Sequence, residues 1–163
     1  MGLAMVDVVR SLDFQTRQLL LALAAGEPGR LALALAVQSM RAATGGAKAT
    51  PRVELLIGKS RALAARAKRP DVDAILVGSE GVAAFILGRW RASRAKLEVA
   101  ERRLREGCVG VESYLTTVQL FSIATCFYLG ELRELSERVP RYLQGAERRG
   151  DLYALVNFQV ATG

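Results

Sequence analysis

Apolar residues recur along this chain with a helical period, and short polar breaks interrupt the pattern at regular intervals. Segments 52–68 and 91–105 each place their apolar residues on one helical face and Arg or Lys on the opposite face. Segments 72–87 and 111–129 are apolar on more than one face, which predicts helices enclosed between other helices. Residues 31–35 alternate like a strand, but their Ala and Leu content favours a helix. The pattern therefore predicts an all-α protein.

The breaks fall at a nearly constant spacing. The first helices of successive pairs are predicted to begin near residues 28, 71, 111 and 151, and the second helices near 13, 51, 90 and 131. Both series repeat at roughly 40 residues, a period typical of α-solenoids, in which one helix pair cannot cover its own apolar face. We predict a right-handed α-solenoid of antiparallel helix pairs, forming a single helical-repeat domain over residues 1–163. Because segment 151–163 starts a first helix with no second helix after it, we also predict a fragment of a longer array.

Two of the breaks share a pattern of glycine, charged residue and bulky apolar residue. They are Gly88-Arg89-Trp90 and Gly130-Glu131-Leu132. Glycine adopts at low cost the left-handed conformation that ends a helix, and the bulky residue can fill the space between two helices. We therefore predict structural turns built on Gly88, Trp90 and Gly130.

Single residues add local predictions to this outline. Asp13 is predicted to be the N-cap of the first helix. Ala74, Gly78 and Gly81 are small enough to let a partner helix approach closely. Pro140 lies inside a helical pattern, where it should kink the helix or restart it.

The turn residues and those that follow them resemble the tetratricopeptide repeat. Gly88-x-Trp90 is followed by Ser93, Leu97 and Ala100, much as a glycine, an aromatic and then small residues occur in that family. The second of the two turns follows the pattern more loosely, and the period is longer than the roughly 34 residues of that family. The resemblance implies a related helical-repeat fold.

Several stretches, distinctive in combination, resemble the tetratricopeptide-like region that follows the catalytic domain in large bacterial serine/threonine protein kinases, notably those of myxobacteria. The resemblance covers most of the chain. These stretches are 81–92, 117–121, 128–132, 138–140 and 149–154. The resemblance implies a regulatory or scaffolding segment of a signalling protein. The kinase signatures themselves, such as His-Arg-Asp and Asp-Phe-Gly, do not occur, so the resemblance implies no kinase activity here.

Composition narrows the chemistry that the chain can perform. It has 23 Lys and Arg against 16 Asp and Glu, a net charge of +7, and no His. Without His, neither a Ser-His nor a Cys-His nucleophile can form, and imidazole metal sites are excluded. Cys108 and Cys126 lack metal-ligand spacing; a disulfide stays open, but two thiols in the reducing cytoplasm are favoured. No apolar run reaches the roughly 20 residues that span a bilayer.

Carboxylate pairs are the remaining candidates for catalysis. Glu98 with Glu101, and Glu131 with Glu134, each share a helix face, but Arg residues lie nearby at helical spacing. That spacing favours ion pairs over acid–base chemistry. We therefore predict a protein that is not an enzyme and that has no catalytic, cofactor or metal site.

A protein or peptide partner, including other domains of the same polypeptide, is the expected ligand. First helices line the concave side of such stacks, where a peptide would meet polar side chains. The side-chain amide of Asn or Gln can bind a peptide backbone because it has both a donor and an acceptor. The candidate groove residues are Gln38, Arg41, Glu80, Thr117, Gln119, Tyr153 and Asn157.

Nucleic acid is the alternative partner. Arg and Lys crowd two second helices, within 52–69 and 89–105, and side by side these would form a basic ridge that binds phosphates with steep salt dependence. Aromatic residues are not interleaved with the basic ones, as base stacking would require. Apolar faces exposed at the ends of the repeat array further predict self-association into a homo-oligomer.

Overall fold

Eight α-helices joined by short turns account for most of the residues that the computed structural model describes, which are 7–162. No β-strand occurs within these residues, which confirms the all-α prediction. A short 3₁₀ turn, Gly46–Ala49, precedes the third helix. The helices are α1 (Val8–Ala25), α2 (Pro28–Ala43), α3 (Thr50–Ala67), α4 (Pro70–Ile86), α5 (Trp90–Gly107), α6 (Glu112–Leu129), α7 (Leu132–Arg149) and α8 (Leu152–Thr162).

Seven of the eight helices begin within one residue of the predicted position; α1 does not. The predicted N-cap at Asp13 is wrong, because α1 already begins at Val8. The Asp7 side chain accepts a hydrogen bond of 2.9 Å from the backbone N–H of Arg10 and caps the helix there. Asp13 instead lies inside α1 and forms an ion pair with Arg17 at 2.9 Å.

The turn after α6 shows why glycine is needed at its position. Gly130 has a φ of +72°, and the backbone N–H groups of Gly130 and Glu131 donate to the carbonyls of Phe127 and Cys126 at 3.0 and 2.9 Å. This conformation satisfies carbonyls that the helix end leaves unpaired. Gly88 adopts the same region with a φ of +74°. Leu132, however, is 64% exposed and fills no gap between helices.

Helix α7 continues through Pro140. Of the two predicted outcomes, a kink or a restart of the helix, the restart is therefore wrong. A proline in a helix removes a backbone hydrogen bond and costs about 3 kcal/mol. The following turns bury Tyr142 and Ala146, which are 4% and 0% exposed. We attribute the continuity of α7 to this burial, which offsets the local cost.

Each helix packs on its neighbours in the chain, and α2, α4, α6 and α8 also contact one another in that order. The apolar core is consequently a row of clusters along the series of helices. One cluster joins α2, α3 and α4, a second joins α4, α5 and α6, and a third joins α6, α7 and α8. Helix α4 buries 11 of its 17 residues, as expected for a helix enclosed on several sides.

Small residues set the distance between α4 and its neighbours. A Cβ placed on Gly78 would lie 2.9 Å from Val118 Cγ2, and one on Gly81 would lie 2.8 Å from Leu97 Cγ. Ala74 is fully buried in the same cluster. The close approach predicted from these three residues is therefore present.

None of the helices within residues 7–162 combines the length and apolar character that a bilayer crossing requires.

Candidate functional site

The first helices of the predicted pairs present a common surface. A small depression of about 10 Å³ lies where α2, α4 and α6 meet, and most of the residues that line it are buried. Because the three helices contact one another in series, residues far apart in the chain become neighbours here. The lining residues are Met40, Ile75, Gly78, Ser79, Val82, Tyr114, Thr117 and Val118.

Five aromatic rings extend this surface toward the ends of α4 and α6. Phe85 contacts Phe121 and Tyr128 edge to face, with ring centroids 5.2 and 5.5 Å apart. Trp90 stacks on Tyr128 at 4.8 Å, and Phe127 meets Tyr128 at 5.9 Å. Phe127 and Tyr128 remain 65% and 55% exposed. We call the depression together with these five rings the first-helix face.

Of the predicted groove residues, Thr117 lies in the first-helix face. Its hydroxyl donates to the Ser113 carbonyl at 2.9 Å. Gln38 and Arg41 lie on α2 and bond to each other, with Gln38 Oε1 accepting from Arg41 Nε and Nη2 at 2.9 and 2.6 Å. Gln38 itself is only 6% exposed. The structure therefore places Gln38 and Arg41 on α2 and Thr117 on α6, and only Thr117 is among the residues that line the depression.

Two further groove candidates lie on α8, at the end of the helix series. Tyr153 is 39% exposed, and the Asn157 side-chain amide donates to the Tyr153 carbonyl at 2.8 Å. Both residues are on α8, which follows α6 in the series of first helices and lies beyond its aromatic rings. They are neighbours of each other and do not adjoin the depression.

Glu80 is directed away from the first-helix face and into the space between α3 and α5. It is 4% exposed, and its two carboxylate oxygens accept hydrogen bonds of 2.6 Å from Arg61 Nε and Nη2. Lys96 donates a further hydrogen bond to the same carboxylate. Burial raises the pKa of Glu80, but the hydrogen bonds and charges of Arg61 and Lys96 outweigh this effect and hold the pKa below its ordinary value.

The lowered pKa of Glu80 makes the stability of the fold depend on pH. The native carboxylate keeps its charge below the ordinary pKa of 4.5, so the unfolded chain binds more protons in that range. The contribution of Glu80 to the free energy of unfolding should therefore be complete above this pH. It should be lost as the pH falls through the lower native pKa. We expect Glu80→Gln to show a shallower loss of stability below about pH 5 in urea titrations across pH.

A matched control separates this effect from general acid unfolding. Glu112 is exposed and forms no ion pair within residues 7–162, so Glu112→Gln is the matched substitution of a carboxylate outside the Arg61–Lys96 site. Equal slopes for Glu80→Gln and Glu112→Gln would contradict the assignment.

Gln119, the last groove candidate, belongs to a second buried network between α5, α6 and α7. It is 1% exposed, and its Nε2 donates to Glu101 Oε1 at 3.2 Å. Glu101 also accepts from Tyr142 Oη at 2.7 Å and from Arg105 Nη2 at 2.8 Å. The Oε1 of Gln119 has no hydrogen-bond partner among residues 7–162.

Arg138 links this network to the surface. Its guanidinium donates to Glu134 at 2.6 Å and to Glu98 at 2.8 Å, and lies 3.8 Å from Glu101. Burial lowers the pKa of Arg138, but its hydrogen bonds with Tyr142 and Glu134 outweigh burial and raise the pKa above its ordinary value. The guanidinium therefore stays charged. Burial and the neighbouring Glu101 raise the pKa of Tyr142, so its hydroxyl stays protonated. Arg138 thus joins α7 to α5 through Glu98 and Glu101 and pairs with Glu134 on its own helix.

An open cleft of about 440 Å³ lies above this network. Its walls combine Glu98, Glu101 and Glu134 with Arg138 and Arg141. Such matched charges join two helices and leave little net field for a ligand. The predicted ion pairs of Glu98, Glu131 and Glu134 with Arg are present, whereas the burial of Glu101 was not foreseen.

Basic residues without ion-pair partners in the described part of the chain concentrate on the second helices. Those of α3 recur every seven residues and so share one helical stripe. All of them are exposed. They are Arg52, Lys59 and Arg66 on α3, Arg91 and Arg102 on α5, and Arg141, Arg148 and Arg149 on α7.

No group of His, Cys, Asp or Glu residues suited to hold a metal ion occurs within the described residues. Cys108 and Cys126 are free thiols, and burial raises the pKa of both. No family model, curated protein or solved structure matches this chain.

Proposed function

We propose that this chain forms a right-handed, tetratricopeptide-like α-solenoid that binds another protein and catalyses no reaction. The contacts of α2 with α4, of α4 with α6 and of α6 with α8 support the stacking. In each case one other helix lies between the two contacting helices in the chain, as in a series of stacked helix pairs. The core clusters also follow one another along this series. Repeats that contact only their neighbours form such stacks.

The exposed aromatic rings of the first-helix face are the main support for the proposal that the chain binds another protein. Phe127 and Tyr128 are large and more than half exposed; Tyr128 contacts the rings of Phe85 and Trp90, and Phe127 contacts Tyr128. Aromatic residues that are rigid and exposed dominate the energy of many protein interfaces. The net charge of +7 favours a partner with acidic residues around an apolar anchor.

The proposed setting is a cytoplasmic signalling protein of the bacterial serine/threonine kinase type, with the repeat acting as a regulatory scaffold. The similarity of several stretches to the kinase-linked repeat region supports this setting, and the two free thiols agree with a reducing compartment. Sequencing of the reading frame on both sides tests it. A kinase domain upstream is expected, and a frame that joins the repeat to an unrelated enzyme would reject the setting.

Peptide selection provides a direct test of the binding role. The 163-residue chain would be used to select peptides from a random phage library, and the dissociation constants of the selected peptides would be measured by calorimetry. We expect peptides with an aromatic or Leu anchor and acidic neighbours. Tyr128→Ala and Phe127→Ala should each weaken binding by about 30-fold, as truncation of a central aromatic anchor does.

Val109→Ala serves as the control, since Val109 is 99% exposed in the turn between α5 and α6. It should leave binding unchanged. Peptides whose affinity is the same for Tyr128→Ala and for the unsubstituted chain would refute the first-helix face as the binding site.

The unpaired basic residues of the second helices support nucleic acid as a second candidate partner. Fluorescence anisotropy with duplex and single-stranded DNA at low and high salt distinguishes the two proposals. Tight, salt-dependent binding that is lost in Lys59→Ala and Arg66→Ala but kept in Tyr128→Ala would favour nucleic acid. Absence of binding at low salt would eliminate it.

A further inference from the structure

A groove of about 240 Å³ lies between α3 and α5, where both helices pack on α4, and we call it the α3–α5 groove. Part of its lining is apolar and buried, since Val53, Ala83 and Ala84 are 2%, 1% and 9% exposed. An apolar surface with a few charged groups is the usual composition of a small-molecule site. The charged residues that line it are Glu54, Arg61, Glu80, Arg89 and Lys96.

The charges of the α3–α5 groove do not balance. Arg89 lies 3.7 Å from Glu54, and these two residues form an exposed ion pair. Glu80 is left with both Arg61 and Lys96, which form no ion pair with any other carboxylate in the described part of the chain. Both cations bond to the same oxygen, Glu80 Oε2. Three basic residues against two acidic ones give the groove a net charge of +1.

Arg61 and Lys96 retain hydrogen-bond donors that Glu80 does not use. Their side chains are 59% and 37% exposed, whereas that of Glu80 is 3% exposed. Arg61 bonds to Glu80 through Nε and Nη2, so its Nη1 stays available, as do two of the three protons on Lys96 Nζ. The residues three and four positions away from each cation on its own helix are uncharged. The helices themselves therefore supply no second anion.

The neighbouring cleft between α5 and α7 is also lined by charged residues, but its charges balance. Four Glu and four Arg line that cleft, so its net charge is zero. The unmatched positive charge and the aliphatic lining therefore distinguish the α3–α5 groove. Low-dielectric walls around an unmatched charge concentrate ions of the opposite sign.

We propose that the α3–α5 groove binds a small aliphatic carboxylic acid. Its carboxylate accepts hydrogen bonds from Arg61 and Lys96, and its alkyl chain lies on Val53 and Ala84. Hydrogen bonds between two charged groups are stronger than those between neutral ones. The groove is smaller than the roughly 300–1,000 Å³ of sites for drug-sized ligands, so the acid has only a few carbon atoms. This site goes beyond the proposed protein binding and lies outside the first-helix face.

An NMR titration of the full chain with hexanoate tests the proposal. The backbone amide signals of the residues that line the groove should shift, with a dissociation constant on the order of 1 mM, as expected for a ligand of so few atoms. Hexanamide has the same shape without the charge and should bind about 10-fold more weakly or not at all. A short peptide ending in Leu with a free carboxylate should bind no more tightly than hexanoate.

Two substitutions remove different parts of the site. Lys96→Met keeps the length of the side chain and the bonds between Arg61 and Glu80 but removes the extra charge, so hexanoate should bind about 10-fold more weakly. Gly58 lines the groove, and a Cβ there would meet no atom within 4 Å. Gly58→Leu should therefore narrow the groove and weaken binding to a similar extent without changing any charge. Circular dichroism verifies the fold of each variant.

Lys59→Met is the matched control, because Lys59 is exposed on the same helix as Arg61, does not line the groove, and its loss changes the net charge equally. It should bind hexanoate like the unsubstituted chain. Equal affinity for hexanoate and hexanamide, equal effects of Lys96→Met and Lys59→Met, or no shifts at hexanoate concentrations far above the expected constant would overturn the proposal. A peptide that binds more tightly than hexanoate would also overturn it, since the ligand would then be a protein C-terminus. Tyr128→Ala should leave hexanoate binding unchanged, so this site and the first-helix face are tested separately.

Discussion

Gly81→Val is expected to lower the free energy of unfolding by about 3 kcal/mol, at the upper end of what overpacking a core usually costs. A Cβ at this position would lie 2.8 Å from Leu97 Cγ and Cδ2 and 3.3 Å from Leu97 N. Leu97 is 0% exposed, so its side chain has no free space to enter, and its backbone nitrogen belongs to α5. Helices α4 and α5 would therefore have to separate. Urea unfolding monitored by circular dichroism measures the effect.

Gly58→Ala is the matched control for this substitution. Gly58 also lies within a helix, but a Cβ there would meet no atom within 4 Å. Alanine is a better helix former than glycine by about 1 kcal/mol, so the variant should be more stable by up to that amount. A destabilised Gly58→Ala, or a Gly81→Val chain as stable as the unsubstituted one, would show that the α4–α5 contact is looser than described.

Glu101→Ala is expected to cost about 3 kcal/mol, as removal of one member of a buried charged network does. The substitution deprives the Tyr142 hydroxyl and the Gln119 amide of their acceptor, and both groups are nearly inaccessible to water. Arg138, whose side chain is 13% exposed, would lose one of its three carboxylate neighbours. At about 2–4 °C per kcal/mol for a chain of this size, the melting temperature should fall by roughly 10 °C.

Glu106→Ala on the same helix is the control, because Glu106 is exposed and forms no ion pair within residues 7–162. Its melting temperature should stay close to that of the unsubstituted chain. Glu101→Gln should be less harmful than Glu101→Ala, since its amide oxygen can still accept a hydrogen bond from Tyr142 or Gln119. A Glu101→Gln chain as unstable as Glu101→Ala would mean that the charge of Glu101, and not the acceptor, stabilises the fold.

The helix boundaries could be predicted from the sequence because they rest on local chemistry. Glycine at positions 88 and 130 and proline at position 70 mark helix ends through their own backbone preferences. The one wrong start, at Asp13, arose because two aspartates compete as caps and the earlier one, Asp7, bonds the helix N-terminus. The sequence does not show which of these two aspartates is the N-cap, because that depends on which backbone N–H groups the start of the helix leaves unpaired.

The candidate site was less accessible to sequence reasoning. Thr117 and Gln119 are both polar residues in an apolar helix only two positions apart, yet Thr117 lines the first-helix face and Gln119 is buried against Glu101. Two positions correspond to about 200° around a helix, so the register of α6 against its neighbours decides their roles. The sequence carried no sign that Glu101 and Tyr142, separated by 41 positions, would share a hydrogen bond.

By itself, the sequence determined the number, the type and nearly all the limits of the helices, because periodicity, glycine and proline act over a few neighbouring residues. Only the tertiary structure decided which polar side chains are exposed, which carboxylates are buried among arginines, and which aromatic rings remain exposed. These outcomes depend on the distances and rotations between helices. Contacts between residues about 20 to 40 positions apart set those distances and rotations, and no local pattern encodes them.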